Sequence, residues 1–194
     1  MDYNMKNTDK WHRLLSLLKT FAYEKREVTL ASGQKSNFYI NCKQASFMGE
    51  SHYLIGELFY SLLSQVEKEN SFQACGGMAL GAAPLLSALS LTCFLNKREL
   101  PAIIVRKDIK EHGTKATLEG EKPVAKNSKV LLLEDVITTG TSTIKAANAL
   151  QKNGFIVDTV LALVDRKAGG QENLAKNGLK LYSLYNLEDF TCVK

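Results

Sequence analysis

The stretch Val130-Leu131-Leu132-Leu133-Glu134-Asp135-Val136-Ile137-Thr138-Thr139-Gly140-Thr141-Ser142 decides the fold. Four apolar residues end on two adjacent carboxylates. A turn of small hydroxyl residues with one glycine follows, and residues 143–152 then have the character of a helix. Read physically, this is a buried strand, an acidic edge, a tight turn and a helix start. Backbone N–H groups at such a turn point into it, and the helix dipole favours a negative charge there. The two carboxylates repel an anion, so they suit sugar hydroxyls or a metal ion. A phosphate-binding turn beside an acid pair points to a sugar phosphate.

Outward from this stretch, strands and helices alternate. Trp11, Leu14, Leu15, Leu18, Phe21 and Ala22 recur at helical spacing, which predicts a helix over residues 9–25. Residues 28–30 and 37–42 read as two strands of a hairpin, joined by the turn 31–36. A second helix is expected over 50–69, with Tyr53, Leu54, Leu58, Leu62 and Val66 on one face. A short strand at 72–75 leads into a glycine-rich loop at 76–81. The helix 82–95 follows, with Pro84 in its first turn. Further strands are expected at 102–106, 129–134, 156–164 and 179–184, with helices at 171–176 and 186–190. Strands alternating with helices imply right-handed crossovers and a mostly parallel sheet covered on both faces. Ligands of such sheets sit beyond the carboxyl ends of the strands. The loops 76–81, 107–120 and 134–142 and the turn 165–170 are therefore expected to converge on one crevice. Residues 107–126 show no clean period, and a long irregular loop in a compact domain is often functional.

Composition bounds the answer. The chain has 194 residues, 45% of them apolar and 23% charged, which fits one sizeable core. The net charge of +5 suits an anionic small ligand, and the scattered basic residues form no nucleic-acid stripe. Cys42, Cys75, Cys93 and Cys192 are far apart with no C-x-x-C pair. That argues against a zinc site and a disulfide scaffold, and suits reduced thiols in the cytoplasm. Asp2, Lys6, Asp9 and Lys10 leave no room for a signal peptide, and Gly81 and Pro84 interrupt the most apolar segment, so no membrane association is expected.

Each motif has a plainer reading. Glu134 and Asp135 could be solvated residues at a strand end. The loop 76–81 has the G-x-x-x-x-G spacing of a phosphate loop, but Ala82 and Ala83 stand where a nucleotide triphosphatase has Lys and Ser/Thr. His112 could be a surface histidine, and Phe38 or Tyr39 a core residue.

Taken jointly, the apolar run, the acid pair and Thr138-Thr139-Gly140-Thr141-Ser142 resemble the signature of the type I phosphoribosyltransferases, which bind 5-phosphoribosyl-1-pyrophosphate. The segment Arg106-Lys107-Asp108-Ile109-Lys110-Glu111-His112-Gly113, followed by Glu119-Gly120, resembles the orotate phosphoribosyltransferases in particular. The resemblance covers residues 25–185. It implies a type I phosphoribosyltransferase fold: one α/β domain over 1–194, with a core at about 50–170 and a small hood made of residues 1–45 and the C-terminal segment. It further implies that Glu134 and Asp135 face the ribose, and that Thr138, Thr139, Gly140, Thr141 and Ser142 hold the 5-phosphate. Arg106, Lys107, Lys110 and His112 would meet the pyrophosphate, and Lys110, His112 and Asp135 would be the catalytic residues. Tyr39, Thr138 and Arg166 would bind orotate, the arginine pairing with its carboxylate in two places. Mg2+ is expected on the substrate's oxygens rather than in a protein cage. A homodimer is expected, with the loop 107–120 shared between subunits. The product would be orotidine 5'-monophosphate, in pyrimidine nucleotide synthesis. A phosphoribosyltransferase for another base and a non-catalytic regulator of the same fold are the alternatives.

The chain departs from the family pattern at three places. Many members have lysine where Ala31 stands and Tyr-Lys where Ala79-Leu80 stand, and a subgroup has an acid where Ala83 stands. The pyrophosphate is therefore expected to lean on Arg106, Lys107, Lys110 and His112.

Overall fold

A computed structural model describes residues 6, 8–29, 35–36, 38–67, 72–107 and 117–191. Helix α1 (Asp9–Phe21) starts where Thr8 Oγ1 accepts from the Trp11 N–H at 3.2 Å, satisfying one orphan donor of the first turn. It ends a turn earlier than its periodicity suggests, because the chain leaves at Ala22 for a small strand. The hood contains β1 (Tyr23–Glu24), β2 (Val28–Thr29), β3 (Lys35–Ser36) and β4 (Tyr39–Ile40). The pairing is not the expected single hairpin. β2 pairs with β3, and β4 turns back to β1, both antiparallel. Asn41 and Cys42 then enter the short helix α2 (Lys43–Ser46). Helix α3 (Gly49–Val66) buries Leu54, Ile55, Leu58, Phe59, Leu62, Leu63 and Val66, while Tyr53 lies exposed, off the expected face.

The remaining elements are β5 (Ala74–Met78), α4 (Ala83–Leu95), β6 (Ala102–Val105), β7 (Leu118–Glu119), β8 (Val130–Ile137), α5 (Thr141–Lys152), β9 (Thr159–Asp165), α6 (Gly170–Lys176), β10 (Lys180–Asn186) and α7 (Leu187–Thr191). They form a six-stranded sheet of order β10-β9-β8-β5-β6-β7. Every pairing is parallel except β6 with β7. The strand after β5 lies to one side of it, while β8, β9 and β10 lie to the other. The strand order therefore reverses between β5 and β8, where an open α/β sheet places its ligand.

Alternation within β8 explains why both faces are covered. Leu131 and Leu133 pack with α1, α3 and α4, whereas Val130 and Leu132 pack against Ala146, Ala147 and Leu150 of α5. All four are fully buried, each worth about 1.5–3 kcal/mol of transfer free energy.

Two sequence boundaries move. The first half of the glycine-rich stretch, residues 76–78, is strand rather than loop. A Cβ on Gly77 would lie 2.4 Å from Ala82 Cβ and 2.6 Å from the Leu133 carbonyl oxygen, so close approach of β8 and the start of α4 requires glycine there. The true loop is only residues 79–82 and contains a cis peptide between Ala79 and Leu80. Likewise β8 runs past the acid pair to Ile137, because β9 continues to pair with it: Glu134 faces Ala162, and Val136 faces Val164.

The two ends of the described chain close on each other. Trp11 Nε1 donates to the Leu184 carbonyl at 3.1 Å, and Tyr185 Oη donates to the Trp11 carbonyl at 2.9 Å. Tyr23 stacks between Phe38 and Phe190, with ring centroids 6.0 and 5.7 Å away. These contacts fix the hood against the last strand.

Candidate active site

The turn after β8 is held from behind. Gly140 takes a left-handed φ of 77° and precedes α5, whose ladder begins when Ile144 N–H donates to the Gly140 carbonyl at 2.9 Å. The N–H groups of the first turn stand ahead of that ladder, available to an anion. Asn173 Nδ2 donates to the Thr139 carbonyl at 2.7 Å. A Cβ on Gly170 would come within 2.6 Å of the Thr138 carbonyl oxygen. Helix α6 thus fixes the turn's shape. Thr139 Oγ1 and Thr141 Oγ1 lie 3.1 Å apart on its outer side. Ser142 is engaged elsewhere: its Oγ donates to Glu134 Oε2 at 3.1 Å.

The acid pair does not act as two equivalent carboxylates. Glu134 is 5% exposed and turned toward α5, where it accepts from Ser142 and from Thr143 Oγ1, the latter at 2.8 Å. Burial, and then the negative charge of Asp135, push its carboxyl up from 4.5 to about 7 against the pull of the two hydroxyls. Glu134 is thus held inward at the base of the turn, and Asp135 is the more open of the two acids expected at the ribose. Asp135 lies at the mouth between β5 and β8. Its Oδ1 accepts from the Val136 N–H at 2.9 Å, and Lys43 Nζ stands 3.8 Å from its Oδ2. A Cβ on Gly81 would fall 2.6–2.7 Å from the Asp135 carboxylate, so the loop 79–82 passes directly beside it.

Arg166 follows β9 and is 7% exposed. Its guanidinium lies 4.4 Å from the centroid of the Phe38 ring, and Nη2 donates to the Phe38 carbonyl at 3.3 Å. Burial lowers its pKa. Tyr39, the aromatic expected to bind orotate, carries Arg26 at 4.8 Å from its ring centroid, while Phe38 is the ring that meets Arg166. The reason is strand alternation: Phe38 and Tyr39 point to opposite sides of the hood segment, and Phe38 packs into the core cluster. At the far side of the mouth, Arg106 Nη1 pairs with Glu119 Oε1 at 3.0 Å across β6 and β7, and Lys107 is exposed. Lys110, His112 and Ala31 lie outside the described residues. Sequence reasoning missed Lys43, Asn173 and Gly170, and weighed Phe38 only as a core residue, where it does pack. Only the glycine pair 169–170 carried any local signal.

Asp135 and the threonine hydroxyls are hard oxygen donors of the kind that hold Mg2+ through one carboxylate plus substrate oxygens. Among the described residues, no group of three or more His, Cys, Asp or Glu side chains could hold a metal.

A doubly wound sheet with a phosphate-type turn, one partly buried carboxylate at its mouth and a buried arginine around its switch point is the fold of the type I phosphoribosyltransferases. An adenine phosphoribosyltransferase of Thermoanaerobacter pseudethanolicus shares that fold, with a TM-score of 0.59 at 15% identity over 89% of this chain and 99% of that one. The orotate phosphoribosyltransferase of Sorangium cellulosum is 43% identical over 178 residues, covering 92% of this chain and 91% of the relative. That of Thermosynechococcus vestitus is 43% identical over 181 residues, covering 93% of each. A crystal structure of the Mycobacterium tuberculosis orotate phosphoribosyltransferase in complex with Fe(III) dicitrate superposes with a TM-score of 0.79 at 30% identity, over 94% of this chain and 99% of that one. No family model matches the chain. The chain belongs to the orotate phosphoribosyltransferase family and is a transferase.

Proposed function

We propose that this chain transfers the phosphoribosyl group of 5-phosphoribosyl-1-pyrophosphate to orotate, with Mg2+, in pyrimidine nucleotide synthesis. The observation that carries the reading is the convergence at one switch point of the turn 138–141, Asp135 and Arg166. These suit a 5-phosphate, a ribose and a planar carboxylated base, respectively. The crystal structure of the M. tuberculosis relative with 5-phospho-alpha-D-ribosyl 1-diphosphate supports the donor. In the reaction the C1–O bond to pyrophosphate breaks, a bond from N1 of orotate to C1 forms, and the proton of N1 is released to the leaving pyrophosphate or to solvent. Arg106, Lys107, Lys110 and His112 meet the growing charge on the leaving group, and closure of the loop excludes water. Bound Mg2+ supplies charge neutralisation and a template for donor oxygens. Asp135 orients the ribose, and Thr138 and Arg166 hold the base.

The protein acts as a homodimer whose loop 107–120 serves the partner's site. Leu91 and Phe94 of α4 are exposed beside Ile104 of β6, the strand that leads into that loop, and Leu95 of the same helix is exposed too, which supports an interface there. A cytoplasmic location is supported by the free, buried thiols of Cys42, Cys75 and Cys93. No helix among the described residues is long and apolar enough to cross a membrane.

The test is ultraviolet loss of orotate on adding the donor and Mg2+. Consumption of hypoxanthine or uracil instead overturns the base assignment. Lys110→Ala lowers turnover far more than substrate binding, and unchanged turnover refutes the role given to the loop. Mixing Lys110→Ala subunits with Arg166→Ala subunits restores activity if sites are shared, and no recovery refutes the sharing.

A further inference from the structure

The loop 79–82 reaches the middle of the site with no charge of its own: it reads Ala79, Leu80, Gly81, Ala82. Its backbone passes so near Asp135 that a Cβ on Gly81 would sit 2.6 Å from the carboxylate. A polyanion lying against this loop would face a neutral wall and a negative aspartate. The structure supplies a cation from another direction. Lys43, at the start of α2, places Nζ 3.8 Å from Asp135 Oδ2.

Two features make Lys43 more than a surface charge. Its backbone is anchored, because Cys42, Ala45 and Ser46 around it are fully buried and Ser46 N–H donates to the Cys42 carbonyl at 2.8 Å. Its side chain is 41% exposed while Asp135 is 13% exposed, so the ammonium lies at the opening with the carboxylate behind it. At 3.8 Å the pair is a loose contact rather than a short hydrogen bond. An ammonium carries three donors, and so loose a contact leaves them for a ligand. By contrast, Arg106 already holds Glu119 at 3.0 Å, and the Arg166 guanidinium is stacked on Phe38.

We propose that Lys43 is a substrate-binding residue: its ammonium bridges Asp135 and the diphosphate of the donor, supplying from the hood the charge that the loop 79–82 lacks. This rests on the donor being 5-phosphoribosyl-1-pyrophosphate. Lys43 thereby couples the hood to the sheet. The ammonium that faces Asp135 is shared with the anion when the donor binds.

The experiment uses Lys43→Met and Lys43→Arg, with inorganic pyrophosphate and Mg2+ as the calorimetric probe and steady-state kinetics beside it. In Lys43→Met the pyrophosphate Kd and the KM for the donor rise about 10- to 100-fold, the size of one lost charged hydrogen bond. The KM for orotate stays as in the wild type. Lys43→Arg keeps the charge and retains binding. The same loss from Lys43→Met persists in an Asp135→Asn background, because the contact to the anion is direct. Wild-type pyrophosphate affinity in Lys43→Met overturns the proposal. So does an equal loss in Lys43→Arg, or a loss that vanishes when Asp135 is Asn, which reduces Lys43 to a neutraliser of Asp135. If the wild type consumes no orotate and Lys43→Met still loses pyrophosphate, the Lys43 assignment stands and the reading of the reaction fails.

Discussion

Replacing Glu134 by Gln stabilises the folded protein, and by an amount that depends on pH. The carboxyl is 5% exposed, accepts from Ser142 and Thr143, and sits beside Asp135. Folding moves it from 4.5 to about 7, so between these values the folded state binds a proton that the unfolded state has released. Stability from this group is present at low pH and is lost as pH rises from about 4.5 through 7. The interval of 7 less 4.5 corresponds to about 3 kcal/mol at full ionisation. Solvent screening reduces this little at so buried a site. Glutamine mimics the protonated acid: it stays neutral and keeps an oxygen for the two hydroxyls. Urea unfolding of both proteins at pH 5, 6, 7 and 8 isolates the group, since other titrations cancel in the difference. The variant gains little at pH 5 and about 3 kcal/mol at pH 8, an increase in midpoint of about 1–2 M urea. A difference that does not change with pH refutes the reasoning. So does a wild type that gains on the variant as pH rises, which would mean the hydroxyls outweigh burial and Asp135.

Gly170→Ala puts a Cβ 2.4 Å from Ile137 Cγ2 and 2.6 Å from the Thr138 carbonyl oxygen, so the backbone of the turn must shift. A stability loss of about 1–3 kcal/mol is expected in urea unfolding, with weaker calorimetric binding of pyrophosphate-containing ligand, and unchanged values of both contradict the tight packing of α6 on the turn. Arg166→Lys removes the planar fork that lies on Phe38 and keeps the charge. The KM for orotate is expected to rise about 10- to 100-fold, with donor affinity intact, and an unaltered orotate KM removes Arg166 from the base site.

The alternation of elements, the parallel sheet and the position of the turn 138–142 were legible in the sequence, because they depend on local patterns: apolar runs, glycines and hydroxyl residues at short range. Lengths were less legible, because they depend on neighbours. Strand β8 extends through Glu134 and Asp135 only because β9 pairs beside it, and Gly76 and Gly77 belong to a strand only because α4, α5 and β8 press on it. The same division runs through the site. Sequence alone singled out Asp135 and the threonines of the turn as candidates, and the family resemblance added Arg166. Tertiary structure decided their partners. It turned Glu134 inward to Ser142 and Thr143, set Arg166 on the Phe38 ring, and brought Lys43 to Asp135. Lys43 and Asp135 are far apart in the chain, and no local spacing encodes their meeting. It follows from where the hood lies over the carboxyl ends of β5 and β8, and burial of apolar surface on α1, α3 and β10 fixes that placement.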